Sequence, residues 1–92
     1  MKTRNEIIKD LEDRLFFSKF TIVDEIDWDE MFGQILALEF CIDKHKEGWI
    51  LEQFKENLEK QKSKNMYGDY VDGFMSVLRR NIKDMERDRI GI

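Results

Sequence analysis

Apolar residues recur along this chain at three- and four-residue steps, the spacing that places side chains on one face of a helix, and they do so in four separate runs. Ile7, Ile8, Leu11, Leu15 and Phe16 form the first run. Thr3 and Glu6 stand ahead of it as a capping box, the hydroxyl accepting from the Glu6 amide and the carboxylate reaching back to the Thr3 amide, which predicts a helix over residues 3–17. Phe17 to Val23 alternates irregularly and reads as a loop, with a short strand as the alternative. The second run is Trp28, Met31, Phe32, Ile35, Leu36, Leu38, Phe40 and Ile42, behind a second capping signature at Asp27 and Glu30, and predicts a helix over 27–46. These positions cover more than one narrow stripe, as in a central helix buried by several neighbours. Gly48 is the expected stop, because glycine takes the left-handed conformation without a steric penalty. A third helix over 49–62 carries Ile50, Leu51, Phe54 and Leu58. Ser63 to Gly68 reads as a turn, and Asp69 caps a fourth helix over 69–89 bearing Val71, Phe74, Met75, Leu78, Ile82 and Met85.

The fold class that follows is all-α, a bundle of about four helices in a single domain over residues 1–92. Composition agrees: there is no proline and there are only five glycines, which disfavours strand-and-turn architecture and disordered linkers alike. The short connections predict roughly antiparallel neighbours. A chain of this length buries a modest fraction of its surface. The Met75, Leu78, Ile82 and Met85 stripe therefore either packs inside the monomer or completes its burial as a dimer interface against a second copy.

Charge changes the picture more than composition does. The net charge is −4 with 39 % charged residues, but it is unevenly spread: residues 1–23 carry net +1, residues 24–59 net −8 and residues 60–92 net +3. In the acidic third, Glu39, Asp43 and Glu47 align on the second helix and Glu52, Glu56 and Glu59 on the third. Like charges at this spacing oppose helix formation by roughly 0.2–0.5 kcal/mol per pair, so folding alone does not select them. Asp24, Glu25, Asp27, Asp29 and Glu30 add a cluster at the start of the second helix, where the helix dipole favours part of it. The plain alternative is a solvated face paired by lysines, as in Glu56 with Lys60, or neutralised by Arg79, Lys83 and Arg87 from the fourth helix.

Several chemistries are excluded. Met1 to Asp10 lacks the apolar core of a secretory signal, and the run Ile35 to Leu38 falls far short of the ~20 residues of a membrane span, so a cytoplasmic, non-membrane protein is expected. Cys41 is the only cysteine, which rules out an internal disulfide. Asp43 to Phe54 shares three positions with a calcium-binding EF-hand loop, but His45 and Phe54 stand where oxygen ligands are required. Cys41 and His45 are four apart, yet zinc needs at least three protein ligands and no other cysteine or histidine exists. With no activated nucleophile and no phosphate loop, no enzyme, metal or cofactor is expected. Direct nucleic-acid binding is not expected either, because Asp84, Glu86 and Asp88 interleave the basic residues of the fourth helix and Arg80 is placed to pair with Asp84. Trp28, Trp49, Tyr67 and Tyr70 are core or interface anchors, which position along the chain does not separate.

In length and charge layout, with Asp24 to Glu59 as its acidic centre, the chain resembles the small phage-encoded anti-restriction inhibitors of the DNA-mimic type. The resemblance implies a non-enzymatic inhibitor, commonly a homodimer, acting in the host cytoplasm. It implies a basic nucleic-acid-binding partner, a host nuclease or nucleoid protein, whose DNA-binding surface the carboxylates occupy. The expected partner-binding residues are Asp27, Asp29, Glu39, Asp43, Glu47, Glu52, Glu56 and Glu59. The alternative is a helical protein–protein interaction module, such as an immunity or adaptor protein, that binds through exposed aromatic and methionine side chains.

Overall fold

The computed structural model describes residues 1–20, 28–64 and 68–92. Among them the chain forms four helices and no strand: α1 (Arg4–Phe20), α2 (Trp28–Lys46), α3 (Leu51–Ser63) and α4 (Asp69–Asp88). The all-α expectation holds. One boundary differs, since Phe17 to Phe20 continue α1 as helix instead of leaving it as loop. The cause is visible at the end of α1: the Phe16 and Phe20 rings lie 4.7 Å apart across one turn, and Lys19 reaches Glu39 of α2 at 3.0 Å. Residues 21–23, the Asp24, Glu25 and Asp27 positions and the Asn65 to Tyr67 part of the expected turn lie outside the described residues.

The helix ends follow local chemistry. Both halves of the Thr3–Glu6 box are made, with the Glu6 amide donating to Thr3 Oγ1 at 3.2 Å and the Thr3 amide donating to Glu6 Oε1 at 3.3 Å. α2 stops in a Schellman arrangement: Gly48 sits at φ +86°, its amide donates to the His45 carbonyl, and the Trp49 amide donates to the Lys44 carbonyl. Lys44 Nζ then rests 5.1 Å from the Trp49 ring and closes the turn from outside. α4 ends the same way, with the Ile90 amide donating to the Met85 carbonyl at 2.9 Å, but here the left-handed residue is Arg89, at φ 54°. At the other end of α4, Gly68 and not Asp69 holds the cap position.

Directions can be read from the contacts. Arg4 donates to the Trp49 carbonyl, Glu12 meets Lys46 and Lys19 meets Glu39, so α1 runs antiparallel to α2. The Gly33 and His45 positions of α2 face Tyr70 and Asn81 of α4, so α2 and α4 run in the same sense. α3 returns between them and packs on α4, held at its start by the Leu51 amide donating to the Gly91 carbonyl at 2.7 Å. The antiparallel expectation from the short connections holds for α1 with α2 and for α3 with α4, whose opposite ends meet at Leu51–Gly91 and at Gln61–Tyr70, while α2 and α3 share a smaller contact.

The α2–α4 crossing is a contact of backbone on backbone. A Cβ added to Gly33 would lie 2.0 Å from the Tyr70 carbonyl oxygen, and one added to Gly73 would lie 2.2 Å from that of Glu30. Beyond this crossing the core closes on Ala37, Leu38, Cys41 and Ile42 of α2, Val77, Leu78, Ile82 and Met85 of α4, Ile7 and Leu11 of α1, and Leu51 and Phe54 of α3. Phe40 of α2 meets Phe74 of α4 and Trp49 at ring separations of 5.9 and 5.7 Å.

Two stability outcomes follow. Gly33→Ala or Gly73→Ala gains helix propensity, yet forces two backbones apart; each variant is expected to lose about 2–3 kcal/mol in urea unfolding. Arg89→Gly relieves the left-handed strain at the α4 terminus, and the same measurement should show a gain of about 1 kcal/mol.

Candidate functional site

The one buried polar string in the described core joins three helices. His45 and Asn81 are each 1 % exposed, and His45 Nε2 lies 2.7 Å from Asn81 Oδ1. Arg4 Nη1 lies 3.3 Å from His45 Nδ1 and donates to the Trp49 carbonyl at 2.7 Å. A guanidinium only donates, so Nδ1 is the acceptor and Nε2 carries the proton that Asn81 accepts. That tautomer leaves Asn81 Nδ2 pointing at Met85 Sδ, 3.6 Å away. The Phe54 ring covers the imidazole at 4.9 Å. Both ring nitrogens are thus committed to structural partners. Burial lowers the His45 pKa from 6.5, against the opposing Asn81 bond and with Arg4 adding to the decrease.

Cys41, one turn before His45, is fully buried, and burial pushes its thiol up to about 12. Such a thiol holds its proton at neutral pH and is no nucleophile. Among the described residues no three His, Cys, Asp or Glu side chains gather as metal ligands. The segment from Asp43 stays helical to Lys46 and turns at Gly48, and Phe54 is fully buried, so the partial EF-hand pattern builds no cation loop.

The two acidic stripes lie on separate helices, α2 and α3, which meet in the core where the Phe54 ring covers His45. Glu39 pairs with Lys19, Glu47 with Lys44 and Glu59 with Lys62 at 3.0–3.2 Å, all at least partly exposed, where such pairs contribute little. Asp43, Glu52 and Glu56 are exposed and form no ion pair with a described cation. The expected Glu56–Lys60 pair is not formed. Asp29 is exposed in the first turn of α2, and Asp27 lies outside the described residues. No cation of α4 reaches either stripe: Arg87 pairs instead with Asp84 at 3.4 Å and with Asp88 at 3.1 Å.

Met75, Leu78, Ile82 and Met85 are at most 6 % exposed within the single chain. The stripe is the monomer's own core, because α2 and α3 both cover it, and it presents nothing to a second copy. Met85 is fully buried for the same reason, and Trp49 is half-buried against Phe40 and Phe54.

The apolar surface that does face solvent lies elsewhere. Trp28, Phe32 and Leu36, at four-residue steps on α2, are 54, 53 and 43 % exposed. The sequence pattern placed them inside a central helix; in the structure only the other face of α2, through Gly33, Ala37, Leu38, Cys41 and Ile42, is buried. Glu39, half-exposed, and Asp43, exposed, continue the stripe at three- and four-residue steps, so one face of α2 is aromatic in its first half and acidic in its second. Phe16 and Phe20 of α1, also exposed, meet this face at its Glu39–Asp43 half. With Leu15 and Ile42 as floor and Glu12, Glu39 and Asp43 on its rim, the α1–α2 seam opens as a groove of about 620 Å³. The signal for this surface was present in the sequence as the surplus of α2 apolar positions over a single stripe.

Comparisons with protein-family models, with curated proteins and with solved structures return no match.

The buried histidine sets a pH dependence. With its folded pKa below 6.5, the unfolded chain binds more protons below that pH, so His45 contributes fully above about 6.5 and loses its contribution as pH falls. Urea midpoints taken from pH 7 to pH 5 should decline, with a slope of at most about 1.4 kcal/mol per pH unit from this group, and His45→Gln should flatten that part of the profile.

Proposed function

We propose that the chain is a non-enzymatic helical interaction module whose α1–α2 face receives a basic, amphipathic helix of a protein partner. The observation that carries the reading is the exposed stripe from Trp28 through Phe32 and Leu36 into Glu39 and Asp43, with Phe16 and Phe20 beside it. Large aromatic side chains are costly to leave in water and supply most of the energy at protein interfaces. A groove with an apolar floor calls for apolar anchors spaced along a helix. Its rim holds three carboxylates, of which Glu12 pairs with Lys46 and Glu39 with Lys19 at the surface while Asp43 forms no ion pair with a described cation, which favours a partner carrying lysine or arginine beside those anchors. In this reading the acidic stripe of α2 steers and orients the partner, and the aromatic half holds it.

The DNA-mimic reading places the same carboxylates as phosphate substitutes. It is supported by Asp43, Glu52 and Glu56, which stay clear of the chain's described cations. It draws nothing from the aromatic stripe.

Panning a display library of helical peptides against the protein separates the two. The expected result is enrichment of peptides with apolar residues at helical spacing interleaved with lysine or arginine. Their affinity should fall at least tenfold on Phe32→Glu and severalfold on the Glu39→Lys, Asp43→Lys double substitution. Selection of acidic or unpatterned peptides, or equal binding by Phe32→Glu, overturns the proposal. Binding that depends on Glu52 and Glu56 and not on Phe32 favours mimicry, and a dimer that Phe32→Glu dissociates assigns the face to a second copy.

A further inference from the structure

The outer face of α4 holds a second surface that the aromatic groove does not use. Arg79, Arg80, Lys83 and Arg87 recur along it at three- and four-residue steps, and with Ser76 and Asp84 they line a shallow depression of about 600 Å³. The sequence suggested that the acidic residues of this helix neutralise it, through pairs such as Arg80 with Asp84. In the structure Asp84 goes to Arg87, while Arg79, Arg80 and Lys83 form no ion pair with a described carboxylate. One helix face thus brings like charges together where folding does not require them.

What such a face fits is decided by what it lacks. From Ser76 to Arg89 no large hydrophobic side chain is exposed on α4. A protein partner would find no apolar anchor site at the centre of an interface here, and single-stranded nucleic acid would find no aromatic platform for its bases. A linear array of guanidinium and ammonium groups needs neither when its ligand is a phosphate backbone. Successive cations Arg79, Lys83 and Arg87 advance by about 6 Å along the helix, and the face from Ser76 to Arg87 spans roughly 16 Å, the axial length of about five phosphates of one duplex strand. The chain's net charge of −4 does not prevent this, because the screening length of ~8 Å at physiological salt is short against a molecule of 39 × 30 × 20 Å.

We infer that the α4 face formed by Arg79, Arg80, Lys83 and Arg87 binds the phosphate backbone of double-stranded nucleic acid without regard to base sequence. This surface is independent of the aromatic groove and stands or falls apart from it.

Fluorescence anisotropy with labelled 20-base-pair DNA duplexes of two unrelated sequences tests the assignment on the full chain. Both duplexes are expected to bind with affinities within about threefold of each other. Four phosphate contacts imply a loss of about a hundredfold in affinity between 50 and 200 mM salt. Arg79→Ala and Lys83→Ala should each weaken binding and reduce the salt slope by about 1, while Lys62→Ala, which removes a cation from α3, should change neither. All three positions are exposed, and thermal melts confirm that the variants remain folded. No binding at 50 mM salt, unaltered binding by Arg79→Ala and Lys83→Ala, or a stronger preference for single strands overturns the proposal. Displacement of the duplex by poly-glutamate at equal charge concentration also overturns it, by showing a face that reads carboxylates.

Discussion

The close passage of α2 and α4 at Gly33 and Gly73 is the constraint on which the rest of the molecule depends. With each glycine facing the other helix's carbonyl groups, the two backbones touch and leave no volume for side chains at the crossing. The larger neighbours on α2, Trp28, Phe32 and Leu36, are consequently left on the flank of the contact, and they remain exposed. Further along, the helices make room for Leu38, Leu78, Ile82 and Met85, all buried in the one chain. The same contact thus spends the α4 stripe inside the monomer and releases the α2 aromatics to solvent.

A second anchor lies at the far end of these helices. His45 and Asn81 hold one face-to-face register of α2 on α4, and Arg4 ties α1 to the same point through His45 and the Trp49 carbonyl. A buried polar pair that is fully hydrogen-bonded specifies one arrangement, because any shift strands its donors and acceptors away from water. The glycine crossing fixes how near the helices lie, and the imidazole–amide bond fixes their relative position. Both features are structural, which agrees with a protein whose buried cysteine and histidine are closed to chemistry.

Charge is distributed by the same geometry. α1 alongside α2 brings Lys19 onto Glu39 and leaves Asp43 at the rim of an apolar groove, while α3 lies on α4 and carries Glu52 and Glu56 away from that groove. On α4, Asp84 and Asp88 pair with Arg87, and Arg79, Arg80 and Lys83 are left outward. A chain with a small net charge therefore displays local fields of both signs, and it is the local field that a partner meets.

The sequence by itself determined the helices, since their signals are local: the Thr3–Glu6 box, the stop at Gly48 and the three- and four-residue apolar spacing each act within a few residues. It also determined that α4 has a buried stripe, but not what buries it. Gly33 and Gly73 were legible only as two interior helix positions that cost about 1 kcal/mol each relative to alanine, a hint of close packing with no partner named. Which of the two apolar faces of α2 is covered, which carboxylates meet a lysine and which arginines stay unpaired were decided by tertiary structure alone. Each depends on which helix lies alongside, and a helix's neighbours are set by contacts between residues forty positions apart, such as Gly33 with Tyr70 and Arg4 with His45.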